Sequence, residues 1–599
     1  MKKVSNLVID FLADNNINTF FLVTGGAIAP IVDYIGTKED VDYFCFQHEQ
    51  SAAMAAESYY KTTGKVSAVF ATSGPGAQNL MNGLCGCWFE SIPAIFITGQ
   101  VSSYESIDSI EQNPRQLGFQ ETPVVDMFKP FTKYCTKITD VNKIPKVISE
   151  AICEMHSDRF GPVLIDLPVN IQNTKVDIDL GIPHYNVSLT DSGIDSKIEK
   201  LSDYISISQR PLILLGNGVR LSDSIEDARE FVEYHNIPFV VSWGGFDLIE
   251  HSHPLFVGDI GVYGSRSANF AIQNCDLLIV LGSRLDTRQT GGDLKLFSRD
   301  SKKVMVDLDE NEIFKGSERG LNIDLPFICD LQYFFTHSAS IQSSTFNSEW
   351  FDRIKLWKTT KFDTHENNDS LNAYKFLEVL NELLPNKSIV IPDEGGHLVW
   401  TMQSLNVKEN QRIFTNFGNS SMGYALPAAI GAAVDTDKTV ICIDGDGGFQ
   451  MNIQELQTIV NYQLPIKIFI INNECYGIIK QFQDAYFDSR YIATEPKDYS
   501  SPSFSKVSDA YGIKSVKIDI NSDIKNEVQK VLDYSGPILC EVMVDKDQKL
   551  NPKLEFGNPL EDMYPYLSDR ELSENMIIDM VERRDNSKGW VTLENNKEQ

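Results

Sequence analysis

The 599-residue sequence predicts an α/β protein of three doubly wound parallel-sheet domains, on three observations. Short apolar, β-branched runs recur along the chain, and apolar residues at helical spacing follow them, as buried parallel strands with crossover helices require. The clearest of these runs ends in a glycine turn, at the edge where open α/β sheets take ligands. The length alone calls for roughly three or four domains, with chain enough for several cores.

The first block, residues 1–178, has strand-like runs at Phe20–Val23, Ala68–Ala71, Ala94–Thr98 and Val163–Asp166, with a helix expected over Ser51–Tyr60. A polar passage near Asp179 to Ser196 separates it from the second block, 197–342, whose runs are Leu212–Leu215, Phe239–Val241, Leu277–Leu281 and Val304–Asp307. The Ser- and Asn-rich stretch Ser338–Ser348 is expected to be a linker. The third block, 365–548, contains Val440–Ile443 and Ile466–Ile471, with Ile453, Leu456 and Val460 at helical spacing between them. Residues 549–599 form a polar tail with an amphipathic patch near Leu567 to Val581 and a charged end expected to be disordered. A topology common to the first and third blocks would be hidden from sequence identity.

A formal charge of -30 and a pI near 4.7 argue against nucleic acid or an anionic membrane surface as partner. The N-terminus lacks the apolar core and small-residue cleavage site of a signal peptide. No run of about 18 uncharged apolar residues offers a membrane span. The ten cysteines are scattered, with Cys85-Gly-Cys87 the only close pair, so reduced thiols in a cytoplasmic protein are expected.

Chemistry concentrates first at Gly445-Asp446-Gly447-Gly448, which ends one strand, and at Asn472-Asn473, which ends the next after an intervening helix. Parallel strands bring both turns to one sheet edge, where glycines let backbone amides approach phosphate oxygens. One carboxylate and one amide oxygen suit a hard cation that keeps phosphate oxygens among its ligands, as magnesium does. An Asp that merely caps a helix is the plainer alternative. A calcium loop fails, because Gly448 and Phe449 stand where that loop needs an oxygen ligand and a glycine.

Gly-Asp-Gly followed by Asn-Asn resembles the diphosphate motif of thiamine diphosphate enzymes, and the chain from Val4 to Val544 is most similar to the acetolactate synthase family. That resemblance implies thiamine diphosphate and magnesium as cofactors. The metal would be held by Asp446, Asn473 and the main-chain carbonyl of Cys475, with Gly445, Gly447, Gly448, Tyr476 and Gly477 around the diphosphate. Gly395 and His397 match further contacts, although Gly396 replaces the family's glutamine between them, and Met422 matches the apolar side chain under the bent cofactor. In Phe46-Gln47-His48-Glu49-Gln50, Glu49 matches the glutamate that bonds the aminopyrimidine ring and so activates the thiazolium carbon. Thr24, Gly25 and Gly26 match the loop at the reacting centre, Thr72, Pro75 and Asn79 the turn near the pyrimidine, and Phe119 and Gln120 the acceptor side.

The resemblance also implies a structural FAD. Gly216 and Gly218 are a weak dinucleotide signature, with Leu221 in place of the third glycine. Gly282-Ser283-Arg284-Leu285-Asp286-Thr287-Arg288 is more specific: Arg284 and Arg288 would pair phosphate oxygens, fixed by Asp286, and Asp307, Asp330 and Arg159 match other flavin contacts. A surface ion-pair cluster is the competing reading of these arginines. The implied reaction decarboxylates pyruvate and transfers its two-carbon unit to a second carbonyl substrate, in a homodimer or homotetramer with Glu49 and Asp446 meeting across an interface. Departures surround the acceptor: Asp166-Leu167-Pro168-Val169-Asn170 lacks the family's lysine, Phe482 replaces a tryptophan, and the loop Val101–Leu117 is longer and altered. A nucleotide-linked ketosugar as acceptor, and oxidase or decarboxylase chemistry, are the alternatives.

Overall fold

The computed structural model describes residues 1–112, 114–178, 191, 193–344, 346–362 and 370–581. Most of the passage from Asp179 to Ser196, the start of the third block at 365 and the charged end beyond 581 lie outside the described residues.

Three six-stranded parallel sheets carry the fold. The first holds β1 (Thr19–Leu22), β2 (Asp42–Cys45), β3 (Ala68–Ala71), β4 (Ile95–Gln100), β5 (Tyr134–Lys137) and β6 (Val163–Pro168), in the order β2-β1-β3-β4-β6-β5. The middle sheet holds β7 (Pro211–Leu215), β8 (Phe239–Val241), β9 (Phe256–Asp259), β10 (Leu277–Leu281), β11 (Lys302–Asp307) and β12 (Leu325–Ile328), in the order β9-β8-β7-β10-β11-β12. The third holds β13 (Ser388–Pro392), β14 (Arg412–Ile413), β15 (Thr439–Gly445), β16 (Lys467–Asn472), β17 (Lys514–Ile518) and β18 (Ile538–Met543), in the order β14-β13-β15-β16-β18-β17. The first and third sheets therefore share one topology. The middle sheet has the order of dinucleotide-binding folds, which reverses between its first and fourth strands.

Successive side chains of a strand face opposite ways, and in these sheets both faces are apolar. In β1, Phe20 and Leu22 join one cluster with the helices Val4–Asp14 and Ile144–His156, while Phe21 joins another. That second cluster continues into the third sheet through Ile389, Val440, Cys442, Ile468 and Leu539. The opposite face of the third sheet, Val390, Ile441, Phe469 and Cys540, shares a core with Ile213, Phe239 and Ile279 of the middle sheet. The third unit is thus bonded to both others by common cores.

The contact between first and third units is a pair of helices made of small residues, Glu49–Thr63 with Ala52, Ala53, Ala55 and Ala56, and Ala425–Ala433. A β-carbon on Gly431 would strike the Ala55 carbonyl, so glycine is required for this approach. Ser58 Oγ donates to the Ala428 carbonyl at 2.6 Å across the same contact.

The segment after β18 does not hang free as far as it is described. Leu554, Leu560, Met563 and Leu572 enter the core of the middle unit, and Arg299 pairs with Glu561 at 2.8 Å. Among the described residues no helix is long and apolar enough to cross a membrane.

Candidate active site

β15 delivers Asp446 and its parallel neighbour β16 delivers Asn473 at the same sheet edge. The amide terminus of Asn473 lies 3.1 Å from Asp446 Oδ1 and 2.8 Å from the Cys475 carbonyl oxygen. With nitrogen at that terminus the amide donates to both. With oxygen there, its distances to the other two oxygens are close to the roughly 2.9 Å edge of an octahedron with bonds of about 2.0–2.1 Å, the geometry magnesium requires. Tyr499 donates to Asp446 Oδ2 at 2.7 Å, and burial pushes this carboxyl up to about 7 in the protein alone.

Asp446, Asn473 and Cys475 line a cavity of about 260 Å³ together with Gly395, His397, Met422, Gly445, Gly447, Gly448, Tyr476 and Gly477. His397 is neutral, because burial drives its pKa down to about 3, and its Nε2 is buried without a partner. Met422 is located by the residue after it: Gly423 donates its N–H to Asp393 Oδ2 at 2.9 Å and accepts at its carbonyl from Asn452 Nδ2 at 2.7 Å.

A second group of residues gathers on the first unit. Glu49 is the first residue of its helix and is only 8% exposed; Asn79 Nδ2 donates to its Oε2 at 2.9 Å. A β-carbon on Gly76 would come within 2.8 Å of the Thr72 methyl and 3.2 Å of Glu49 Oε1, and one on Gly25 within 2.5 Å of Thr72 Cβ. Both turns therefore close on Thr72 only because they are glycine. Thr72 Oγ1 accepts from the Ala27 N–H at 3.2 Å, and Gln120 lies against Gly74, which precedes Pro75. Thr24, Gly26 and Pro75 are exposed, and Phe119 is 85% exposed. Among the described residues, none of this group lines the 260 Å³ cavity, whose walls come from the middle and third units.

A larger cavity, about 470 Å³, sits at the switch point of the middle sheet between the turns that follow β7 and β10. Gly218, Gly282, Arg284, Asp286, Arg288, Asp307 and Asp330 line it, with Arg159 from the first unit. Gly216 stands behind this wall, where a β-carbon would come within 2.6 Å of Ser283 Cα. Asp286 does not brace the arginines: its Oδ1 accepts the Arg288 N–H at 2.8 Å and its Oδ2 accepts from Gln289 Nε2 at 2.6 Å, so it caps the turn Thr287–Thr290. Arg159 is occupied by Glu312 at 2.8 Å and Asp309 at 3.3 Å. Burial pushes Asp307 up to about 6, and Asp330 caps the helix Leu331–Ser338. Arg284 makes no hydrogen bond or ion pair with any described residue. Tyr263, Arg288 and Ser420 line both cavities.

Three family models match in sequence order: thiamine pyrophosphate enzyme, N-terminal TPP binding domain, over 2–124; its central domain over 198–337; and its C-terminal TPP binding domain over 393–542. Over 565 residues the chain is 32% identical to the acetolactate synthase large subunit of Lactococcus lactis subsp. lactis (strain IL1403), covering 92% of this chain and 94% of that one. It is 31% identical over 572 residues to the acetolactate synthase isozyme 2 large subunit of Escherichia coli (strain K12), covering 94% and 99% of the two chains. The acetolactate synthase large subunit of Cyanidium caldarium is 33% identical over 579 residues, covering 92% and 94%. The chain belongs to the thiamine pyrophosphate enzymes.

As a member of that family it is an enzyme dependent on thiamine diphosphate, similar over nearly its whole length to acetolactate synthases, which are carboligases. The residues present fit the cofactors. The oxygens at Asp446, Asn473 and Cys475 suit magnesium, the unpaired Nε2 of His397 lies in the wall of the cavity they share, and the unpaired guanidinium of Arg284 faces a dinucleotide-sized cavity and needs an anion. Asn170 Oδ1 accepts from Ser103 N at 2.9 Å, and Glu121 accepts from Ser106 Oγ at 2.7 Å and from Gly118 N at 3.1 Å, so these two side chains hold both ends of the described stretch after β4. Phe482 packs in an aromatic cluster with Tyr486, Phe487 and Phe556. Three thiamine-cavity neighbours escaped the sequence reading. Tyr499 and Asn452 come from irregular segments that carry no periodic signal. Glu394, directly before the Gly395 turn at the end of β13, had a signal in its position.

Proposed function

We propose that this enzyme is a decarboxylating carboligase that takes pyruvate as donor and passes its two-carbon unit to a second carbonyl compound. The supporting observation is that both halves of a thiamine diphosphate site are present: Glu49 oriented by Asn79, and the three converging oxygens at Asp446. Similarity to acetolactate synthases along more than nine-tenths of the chain supplies the reaction class.

When bound, the coenzyme supplies an acidic ring carbon and an electron sink for the charge left by carbon dioxide. Asp446, Asn473 and the Cys475 carbonyl would hold magnesium and, through it, the diphosphate. Glu49 would hold a proton on its carboxyl against a ring nitrogen of the aminopyrimidine, and the Asn79 hydrogen bond keeps the other carboxyl oxygen from rotating into that place. Met422 would support the bend between the rings. Arg284 would pair with a phosphate of FAD, whose role is structural because ligation transfers no net electrons.

The exposed Thr24, Gly26 and Phe119, and the absence of first-unit residues, among those described, from the 260 Å³ cavity, support a site completed by a second copy of the chain. We read the enzyme as a homodimer, with further pairing to a tetramer, in a reducing cytoplasm that suits its ten free thiols. An acceptor without a carboxylate beside its carbonyl, such as a nucleotide-linked ketosugar, is favoured by Val169, which stands where the family places a lysine, while the next residue, Asn170, gives its oxygen to Ser103.

Incubation with labelled pyruvate, magnesium and thiamine diphosphate, alone and with ketoacids, aldehydes or ketosugars, is expected to give ligated products by mass. Glu49→Gln is expected to lower that yield by about a hundredfold or more while the cofactor is retained. Equal ligation by the variant would remove the proposed role of Glu49; oxygen uptake or free acetaldehyde as the main outcome would replace the ligase reading with an oxidase or a decarboxylase.

A further inference from the structure

Glu394 belongs to none of the roles described so far, yet it stands in the wall of the thiamine cavity. It is 6% exposed, and its Oε1 is buried with no hydrogen-bond partner among the described residues. Its Oε2 lies 3.8 Å from Arg288 Nη1, too far for a good hydrogen bond and close enough for charge compensation. Arg288 is held in that direction by Ser420, to whose Oγ its Nη2 donates at 3.1 Å, and its guanidinium lies over the Trp243 ring at 5.9 Å. Among the described residues, Arg288 is also the only cationic side chain lining this cavity. A substrate carboxylate entering here would find its one counter-charge already facing a carboxyl.

Building on the carboligase reading, we infer that Glu394 is a specificity-determining residue: it opposes the charge of Arg288 and offers an unpaired acceptor oxygen, so the acceptor substrate carries hydroxyls and no charge next to its reacting carbonyl and is not a 2-keto acid. A 2-keto acid would bring a second negative group next to Oε1 and desolvate it without a partner. A hydroxyl on an acceptor without that charge donates to Oε1 instead. Burial holds the Glu394 proton up to about 7, with Arg288 opposing, so discrimination is best read at pH 8, where the carboxyl is ionised.

The test uses the full-length protein with magnesium and thiamine diphosphate, pyruvate as donor, and dihydroxyacetone and 2-oxobutyrate as competing acceptors at pH 8. The wild type is expected to favour dihydroxyacetone by about tenfold or more in kcat/KM, and Glu394→Gln to move that ratio about tenfold towards 2-oxobutyrate. The ratio is insensitive to general damage. A second readout needs no turnover: 2-hydroxybutyrate, an unreactive carboxylate, is expected to quench tryptophan fluorescence through Trp243 and Trp400 at a concentration about fivefold lower in the variant. Wild-type preference for 2-oxobutyrate, or an unchanged ratio together with unchanged 2-hydroxybutyrate binding, would overturn the inference. Absence of ligation with every acceptor would mark the failure of the carboligase reading itself, and this inference would fall with it.

Discussion

Asp446 must be ionised to hold a cation in a place where burial favours its proton, and its neighbours Asn473 and Cys475 present oxygens to the same point. Replacing Asp446 by Ala, or Asn473 by Ala, is expected to weaken magnesium-dependent binding of thiamine diphosphate by about a hundredfold in calorimetric titration; binding within threefold of the wild type would show that the metal sits elsewhere. Asp259 gives a second residue-scale case with the opposite consequence. It accepts from Trp243 Nε1 at 2.9 Å, and burial pushes its carboxyl up to about 6. The folded state therefore holds this proton more tightly than the unfolded chain, so the stability Asp259 contributes is full near pH 4, falls as pH rises to about 6, and stays low above that. Asp259→Asn mimics the protonated acid and is expected to raise the thermal midpoint at pH 7 but not at pH 4, by up to about 3 kcal/mol in stability. An equal effect at both pH values would contradict the assignment.

At the scale of elements, the helix pair across the first and third units is the contact most exposed to a single change. Gly431→Ala puts a methyl into the Ala55 carbonyl and is expected to cost about 1–3 kcal/mol, read as a lower denaturation midpoint; an unchanged midpoint would mean that the pair separates without cost. The same scale explains what the sequence made legible. β1, β3, β4, β7, β10, β15 and β16 are buried on both faces, so their composition alone marks them. β2 and β17 are edge strands, exposed or half-buried apart from Ile518, and their mixture of polar and apolar residues carries no clear period. β9 and β12 are broken by Gly258 and Pro326. Turns such as Gly445–Gly448 could be placed because they are tied to strand ends. Tyr499, Asn452 and the partners of Arg159 depend on segments that meet only in three dimensions, and local spacing contains nothing about them, whereas the cap that Asp286 makes on Arg288 and Gln289 is local.

At the scale of the molecule, the third unit shares one core with the first and another with the middle, which fixes the two cavities beside each other and makes Tyr263, Arg288 and Ser420 a wall between them. The same arrangement leaves Thr24, Gly26, Pro75 and Phe119, around the buried Glu49, exposed, and among the described residues none of them lines the cavity that holds Asp446. The proposed site therefore takes two chains, and complementation tests this directly. Glu49→Gln and Asp446→Ala are each expected to be inactive alone. Co-expressed and purified together, they form mixed dimers in which one of the two sites receives both intact halves, so about a quarter of wild-type ligation should return. If the mixture stays as inactive as its parents although mixed dimers are demonstrated, each chain builds its site alone and the account is wrong.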